Sequence, residues 1–222
     1  VKNGIIAPVL CGSAVNMEGI DLLLDAIADH LPSAWESGAE EGEDSGGNPV
    51  TVECTDEAPL VAYVFKTVAD PFVGKLSFVK VVAGVLSSDQ TPVNARTGQS
   101  ERLGKLIMVK GKKQEDTSSI AAGDIGAVTK LTSAVTGDTL CDPKRVVKLA
   151  PIQFPSACLS MAIVTKAKGD EGKIAQCLSR LMEEDPVITY ENNQETRQQV
   201  ISGLGEQHLD VICSKLKNKF GV

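Results

Sequence analysis

Ala122-Gly123-Asp124-Ile125-Gly126-Ala127-Val128 and, shortly after, Gly137-Asp138-Thr139-Leu140-Cys141-Asp142 decide how this chain reads. In each, a Gly-Asp turn pair feeds a short apolar run. Residues 125–131 are apolar except where Thr129 and Lys130 interrupt, and residues 139–141 form a second short run. Working outward, residues 60–69 are rich in Val, Tyr and Phe. Residues 75–82 alternate imperfectly, with Leu76, Phe78 and Val82 on one flank. Residues 91–94 and 103–109 add two further extended pieces. Gly84 allows a bend and Gly111 a turn. Several short strands, each bounded by Gly, Asp or Pro, predict a small closed β-sheet.

The sequence on either side of this barrel has a different grammar. Residues 5–10 read as a buried strand with an irregularity at Pro8. The stripe Ile20, Leu23, Leu24, Ile27, Leu31 then reads as a helix stopped by Pro32. Residues 34–58 carry eight acids, no base and few aliphatic side chains before Val50, the composition of a solvated linker. Pairing of residues 50–52 with a neighbouring sheet stays open. Past Pro151 and Pro155, residues 157–222 read as strand, helix, strand, strand, helix. Asp170 is the expected cap of the first helix, whose stripe is Ile174, Cys177, Leu178, Leu181 and Met182. Residues 187–191 and 198–202 read as a hairpin about Asn192-Asn193. The last stripe is Leu209, Ile212, Cys213, Leu216 and Phe220. This order is a split β-α-β unit of ferredoxin type, lacking its last strand. The predicted fold is therefore multi-domain, β and α+β. Its divisions are 1–33, an acidic linker over 34–58, a β-barrel over 59–150 and a truncated ferredoxin-like domain over 151–222.

Charge sorts along the same lines. The net charge of −7 resolves into −3 for residues 1–33, −8 for 34–58, +5 for 59–150 and −1 for 151–222. A basic barrel inside an acidic chain points to a polyanionic partner. Lys105, Lys110, Lys112 and Lys113 cluster around one turn, the arrangement that phosphate contacts use. No aromatic residue is interleaved to stack bases, so such contacts would supply affinity without sequence reading. No apolar run reaches the ~20 residues of a membrane helix. Val1 is no initiator methionine, and the chain reads as a piece of a longer one. The six cysteines show neither zinc spacing nor a C-x-x-C pair and read as buried, reduced thiols.

Gly-Asp-Ile-Gly-Ala followed by Thr-Gly-Asp-Thr-Leu-Cys-Asp resembles the second domain of translation elongation factor G. The likeness continues in Phe65-Lys66-Thr67 and in Asp70-Pro71-Phe72-Val73-Gly74-Lys75-Leu76. Glu183-Glu184-Asp185-Pro186 and Ser202-Gly203-Leu204-Gly205-Glu206-Gln207-His208-Leu209 resemble the third domain of the same family. Gln207 stands where an aliphatic residue is more usual, and Gly169-Asp170-Glu171-Gly172-Lys173 is similar to divergent paralogues. Gly12-Ser13-Ala14 resembles the loop that closes the family's GTPase domain.

The resemblance implies a cytoplasmic translational GTPase that couples GTP hydrolysis to movement of tRNA and mRNA on the ribosome. It implies that the barrel docks on small-subunit ribosomal RNA. The third domain would relay between domains, with Glu206 and His208 at an interdomain or ribosomal interface. It places the backbone of Ser13 and Ala14 toward the guanine. GTP and magnesium belong to the intact factor. This stretch has no G-x-x-x-x-G-K-[ST] and no N-K-x-D, and its one D-x-x-G, at Asp44, lies in the acidic segment. The stretch alone is expected to bind neither cofactor, to hold no metal and to have no catalytic residue. The alternatives are a ribosomal-protection or release-type relative and a stand-alone RNA- or protein-binding module. An unpaired first strand in the third domain is expected to promote self-association.

Overall fold

The computed structural model describes residues 1–70, 74–111, 113–164 and 171–221, with the backbone alone at Glu171. Two units separate, residues 1–39 and 40–222.

In the first unit, α1 (Ile20–His30) is the one regular element among the described residues. Gly19 supplies the left-handed turn before it, and the Leu31 N–H closes it on Ile27 O at 3.1 Å. The expected strand at residues 5–10 does not form. A strand needs a neighbour to accept its N–H groups, and no other strand occurs within residues 1–39. The apolar stripe of α1 is likewise uncovered within this unit, with Leu24 61% exposed.

The second unit begins where a linker was expected. β1 (Glu40–Asp44) and β2 (Pro49–Val52) form a hairpin, and β1 pairs on its other side with β12 (Val147–Leu149). The D-x-x-G look-alike is the hairpin turn. Asp44 Oδ1 accepts the N–H of Gly46 at 2.8 Å and of Asn48 at 2.9 Å. Acid-rich composition therefore misled the reading of 34–58 over residues 40–52. Val50 and Val52 are the anchors, packing with Val61, Val82, Val147 and Leu149.

The barrel is built from β3 (Val61–Asp70), β4 (Gly74–Ala83), β5 (Leu86–Ser87), β6 (Val93–Asn94), β7 (Leu106–Lys110), β8 (Lys113–Thr117), β9 (Ser119–Ile120), β10 (Ile125–Thr129) and β11 (Thr139–Cys141). Its main sheet runs β6-β11-β3-β4-β10-β7-β8, every neighbour antiparallel, and β5 pairs with β9. Val64, Val79, Val81, Leu106, Ile120 and Leu140 lie in the central core. The imperfect alternation of β4 has a physical cause. Pairing with β3 slips at Val61/Ala62 and Val64/Lys66, and each bulge redirects side chains. Leu76 and Phe78 accordingly share one cluster with Ile107 and Ala127, while Val82 joins the cluster beneath β12. Space favours glycine at several positions, two of them in the barrel core. At Gly84 (φ +71°) a β-carbon would sit 2.6 Å from Ala58 O, and at Gly126 it would overlap the Ile120 side chain.

The remaining elements are β13 (Leu159–Ile163), α2 (Glu171–Glu184), β14 (Thr189–Asn193), β15 (Gln198–Gly203) and α3 (Glu206–Lys215), which widens into a π-type turn over Leu216–Phe220. The sheet order is β13-β15-β14, all antiparallel. That is the order a split β-α-β unit gives. Ile174, Leu178, Leu181, Leu209, Ile212 and Leu216 bury both helices on it. The hairpin turn lies beyond the expected Asn192-Asn193, because Asn193 Oδ1 accepts the N–H groups of Glu195 and Thr196. Asp170, the expected cap of α2, lies outside the described residues. All six cysteines are free. Only Cys141 is buried, while Cys11, Cys158 and Cys213 are exposed, so the buried-thiol expectation fails for half of them. Among the described residues no helix is long and apolar enough to cross a membrane.

Candidate nucleic-acid interface and interdomain contacts

The lysine cluster falls on the β7–β8 hairpin, whose turn is at Gly111. Lys112 lies outside the described residues. Lys105, Lys110 and Lys113 are all exposed. Strand pairing brings two acids among them. Lys105 Nζ is 2.7 Å from Asp116 Oδ2, and Lys110 Nζ is 3.2 Å from Glu115 Oε2. Lys113 makes no ion pair among the described residues. Pairs this exposed are worth ~0–1 kcal/mol, so a phosphate can replace either carboxylate at little cost. The hairpin is thus a zwitterionic edge with a cationic tip, milder than the count of lysines suggested.

Ser13 and Ala14 sit in a small closed loop. Ser13 and Glu18 exchange backbone hydrogen bonds of 3.0 and 3.1 Å, and Ser13 Oγ accepts the Asn16 N–H at 3.2 Å. The Ser13 N–H is therefore occupied. The Ala14 N–H has no partner among the described residues, and Ala14 is exposed. This loop fits a carbonyl oxygen presented to Ala14. No group of three or more metal-holding side chains occurs among the described residues.

Glu206 is exposed in the first turn of α3, where the helix dipole favours its charge. His208 is mostly covered. Its Nδ1 accepts the Leu204 N–H at 3.1 Å, so Nε2 carries the proton and donates to Asp185 Oδ2 at 2.9 Å. Both ring nitrogens are engaged inside the α+β domain, tying the start of α3 to the turn after α2.

Three carboxylates that sequence reasoning passed over are the best-organised polar groups present. Glu101, 1% exposed, accepts from the N–H groups of Thr132, Ser133 and Ala134 at 2.7–3.0 Å and from the Ser133 hydroxyl at 2.6 Å. Burial alone would raise its carboxyl. The Ser133 hydroxyl and those three N–H groups outweigh that and hold it below the ordinary value. Asp138 accepts from Arg96 Nε at 2.6 Å and Arg96 Nη2 at 2.9 Å, from Asn94 Nδ2 at 2.8 Å and from the Val135 N–H at 2.9 Å. Burial pushes it up as well, and Arg96, Val135 and Asn94 bring it down further. Together the two acids clamp residues 132–138 onto the barrel. Glu184, its side chain 10% exposed, is the third. It accepts the Ala69 N–H at 2.8 Å and Lys219 Nζ at 2.7 Å, with Lys215 Nζ 3.7 Å away. A signal for Glu184 was present in the sequence. Two adjacent acids at a helix C-terminus oppose the helix dipole and call for cations from elsewhere.

A barrel domain built on a seven-stranded antiparallel sheet with the β5–β9 pair, followed by a split α+β unit and joined to it through the part-buried Glu184 carboxylate, is a two-domain module of translation-factor type. The family model described as elongation factor G domain 2 matches residues 59–143, and that described as Elongation Factor G, domain III matches residues 154–222. The chain belongs to the elongation factor G family. Among solved structures it is similar to a crystal structure of a Thermus thermophilus protein, at 25% identity and a TM-score of 0.68. That match covers 90% of this chain and 28% of the other, so the chain spans under a third of that relative's length.

Proposed function

We propose that this chain serves an elongation-factor-G-like translational GTPase as its ribosome-docking and relay module. In this reading the whole factor couples GTP hydrolysis to translocation of tRNA and mRNA. Residues 1–33 close its GTPase domain and the Ala14 N–H meets the guanine. GTP and magnesium are held by parts of the factor outside this chain. The barrel docks on small-subunit ribosomal RNA through Lys105, Lys110, Lys112 and Lys113, and Glu206 lies at an interface. The observation that carries the docking reading is Lys113 at the tip of an exposed hairpin, beside two cations whose own partners are exchangeable.

Lys110→Glu with Lys113→Glu is expected to weaken binding to a small-subunit RNA fragment at least tenfold at low salt. The loss should shrink as salt rises, because released counterions drive the association. Arg180→Glu with Lys217→Glu, both on exposed positions of the other domain, should change it little. Equal losses at the two sites, read by fluorescence anisotropy across a salt series, would remove the hairpin from the interface.

Self-association belongs to the same proposal. β13 is an edge strand with no charge or proline among its residues and with Met161 48% exposed. Such an edge recruits another strand. Light scattering is expected to show a mass that rises with concentration, and Met161→Lys should abolish the rise. Identical masses for the two proteins would exclude the edge.

A further inference from the structure

We infer that Glu184 is a latch that couples the terminal helix of the α+β domain to the end of barrel strand β3. Strand β3 carries a donor that its neighbouring strands do not serve. β11 pairs with β3 only at Val61, Ala62 and Tyr63. Farther along, no strand among the described residues lies beside β3 on that side, and a part-buried N–H there is best served by a protein acceptor. α2 packs against β3, and its last residue supplies that acceptor, the Glu184 carboxylate, at 2.8 Å from the Ala69 nitrogen.

A carboxylate at a helix C-terminus is disfavoured by the dipole and, when covered, by lost hydration. Lys215 and Lys219 offset both. They stand four residues apart, on one face of the widened turn that ends α3, and both point at Glu184. Leu216, buried between them in sequence, fixes that turn on the core. One side chain therefore reads two elements at once. When the lysines sit as they do here, the carboxylate is charge-balanced and held toward Ala69. A shift of the terminal turn removes the cations and leaves a covered, unbalanced charge beside β3, which favours release. A π-type turn is a rare local departure from α-helical winding, found most often at functional sites. The latch stands on these contacts alone and does not depend on what the barrel docks to.

Amide hydrogen exchange by NMR on the full chain tests it, with Val64 as the internal reference because its N–H bonds to Asp138 O inside the barrel. Glu184→Gln is expected to raise exchange at Ala69 about tenfold or more, the worth of a hydrogen bond to a charged acceptor, and to leave Val64 unchanged. Lys219→Met keeps the acceptor and removes its nearer cation. It is expected to raise Ala69 exchange about two- to threefold, and this variant decides the matter if Glu184→Gln fails to fold. Ala69 exchange unchanged in Lys219→Met would overturn the coupling. Equal increases at Ala69 and Val64 would overturn it too, since they would report general loosening.

Discussion

Replacing Asp138 with alanine is expected to destabilise the barrel by about 3–5 kcal/mol, the usual cost of removing one member of a buried, hydrogen-bonded charge pair. The Asp138 side chain is 3% exposed, and four donors from Asn94, Arg96 and Val135 converge on it. Arg96 is half exposed and can turn to water, so its loss is the smaller part. The larger part comes from Asn94, wholly buried and left without its acceptor, with the loss of the Val135 N–H bond adding to it. The loop also positions β11. Gly137 N and Asp138 O bond to both polar groups of Val64, in the centre of β3. Arg96→Ala should therefore cost much less than Asp138→Ala, because it leaves a carboxylate still held by Asn94 and Val135. Urea unfolding of the two variants gives the comparison. Equal costs would mean that the ion pair, and not the clamp on residues 132–138, supplies the stabilisation.

The contrast between what the sequence displayed and what it hid follows from locality. α2 and α3 were legible because a helix satisfies its own backbone and shows its buried face as a 3.6-residue stripe. Ile174, Leu178 and Leu181 are buried as that stripe requires. β11 was legible because Gly137-Asp138 and Asp142 bracket it. The β1–β2 hairpin was hidden because its stability comes from Val147 and Leu149, about a hundred residues away. Residues 5–10 failed in the opposite sense, since apolar content alone cannot make a strand without a neighbour. The lysine hairpin was half legible. Its cations were visible, but their pairing with Glu115 and Asp116 depends on strand register. Glu101 and Asp138 were hidden for one reason: nothing in sequence distinguishes a carboxylate in water from one enclosed by donors.

Acid is expected to weaken the barrel well before it would if its carboxylates were all on the surface. The ordinary values are 4.5 for Glu101 and 3.8 for Asp138, and the folded protein holds both lower. A carboxyl lowered on folding stabilises the native state fully above its ordinary value, because the unfolded chain then gains no proton that the folded chain lacks. As pH falls through that value the unfolded chain takes up the proton first, and the advantage is gone once pH passes the folded value. The window is therefore from about 4.5 downward, with no dependence from these two groups between pH 6 and 8. Glu101→Gln separates this linkage from general acid damage. The amide cannot accept all four hydrogen bonds, so at pH 7 the variant should be less stable than the parent. As pH falls below about 4.5 the unfolded parent takes up the proton first and the parent's advantage shrinks, so the gap in urea midpoint should narrow toward acid. Combining Glu101→Gln with Asp138→Asn should flatten the acid limb further. Curves that stay parallel from pH 7 to pH 3 would show that neither carboxylate controls the acid stability of the barrel.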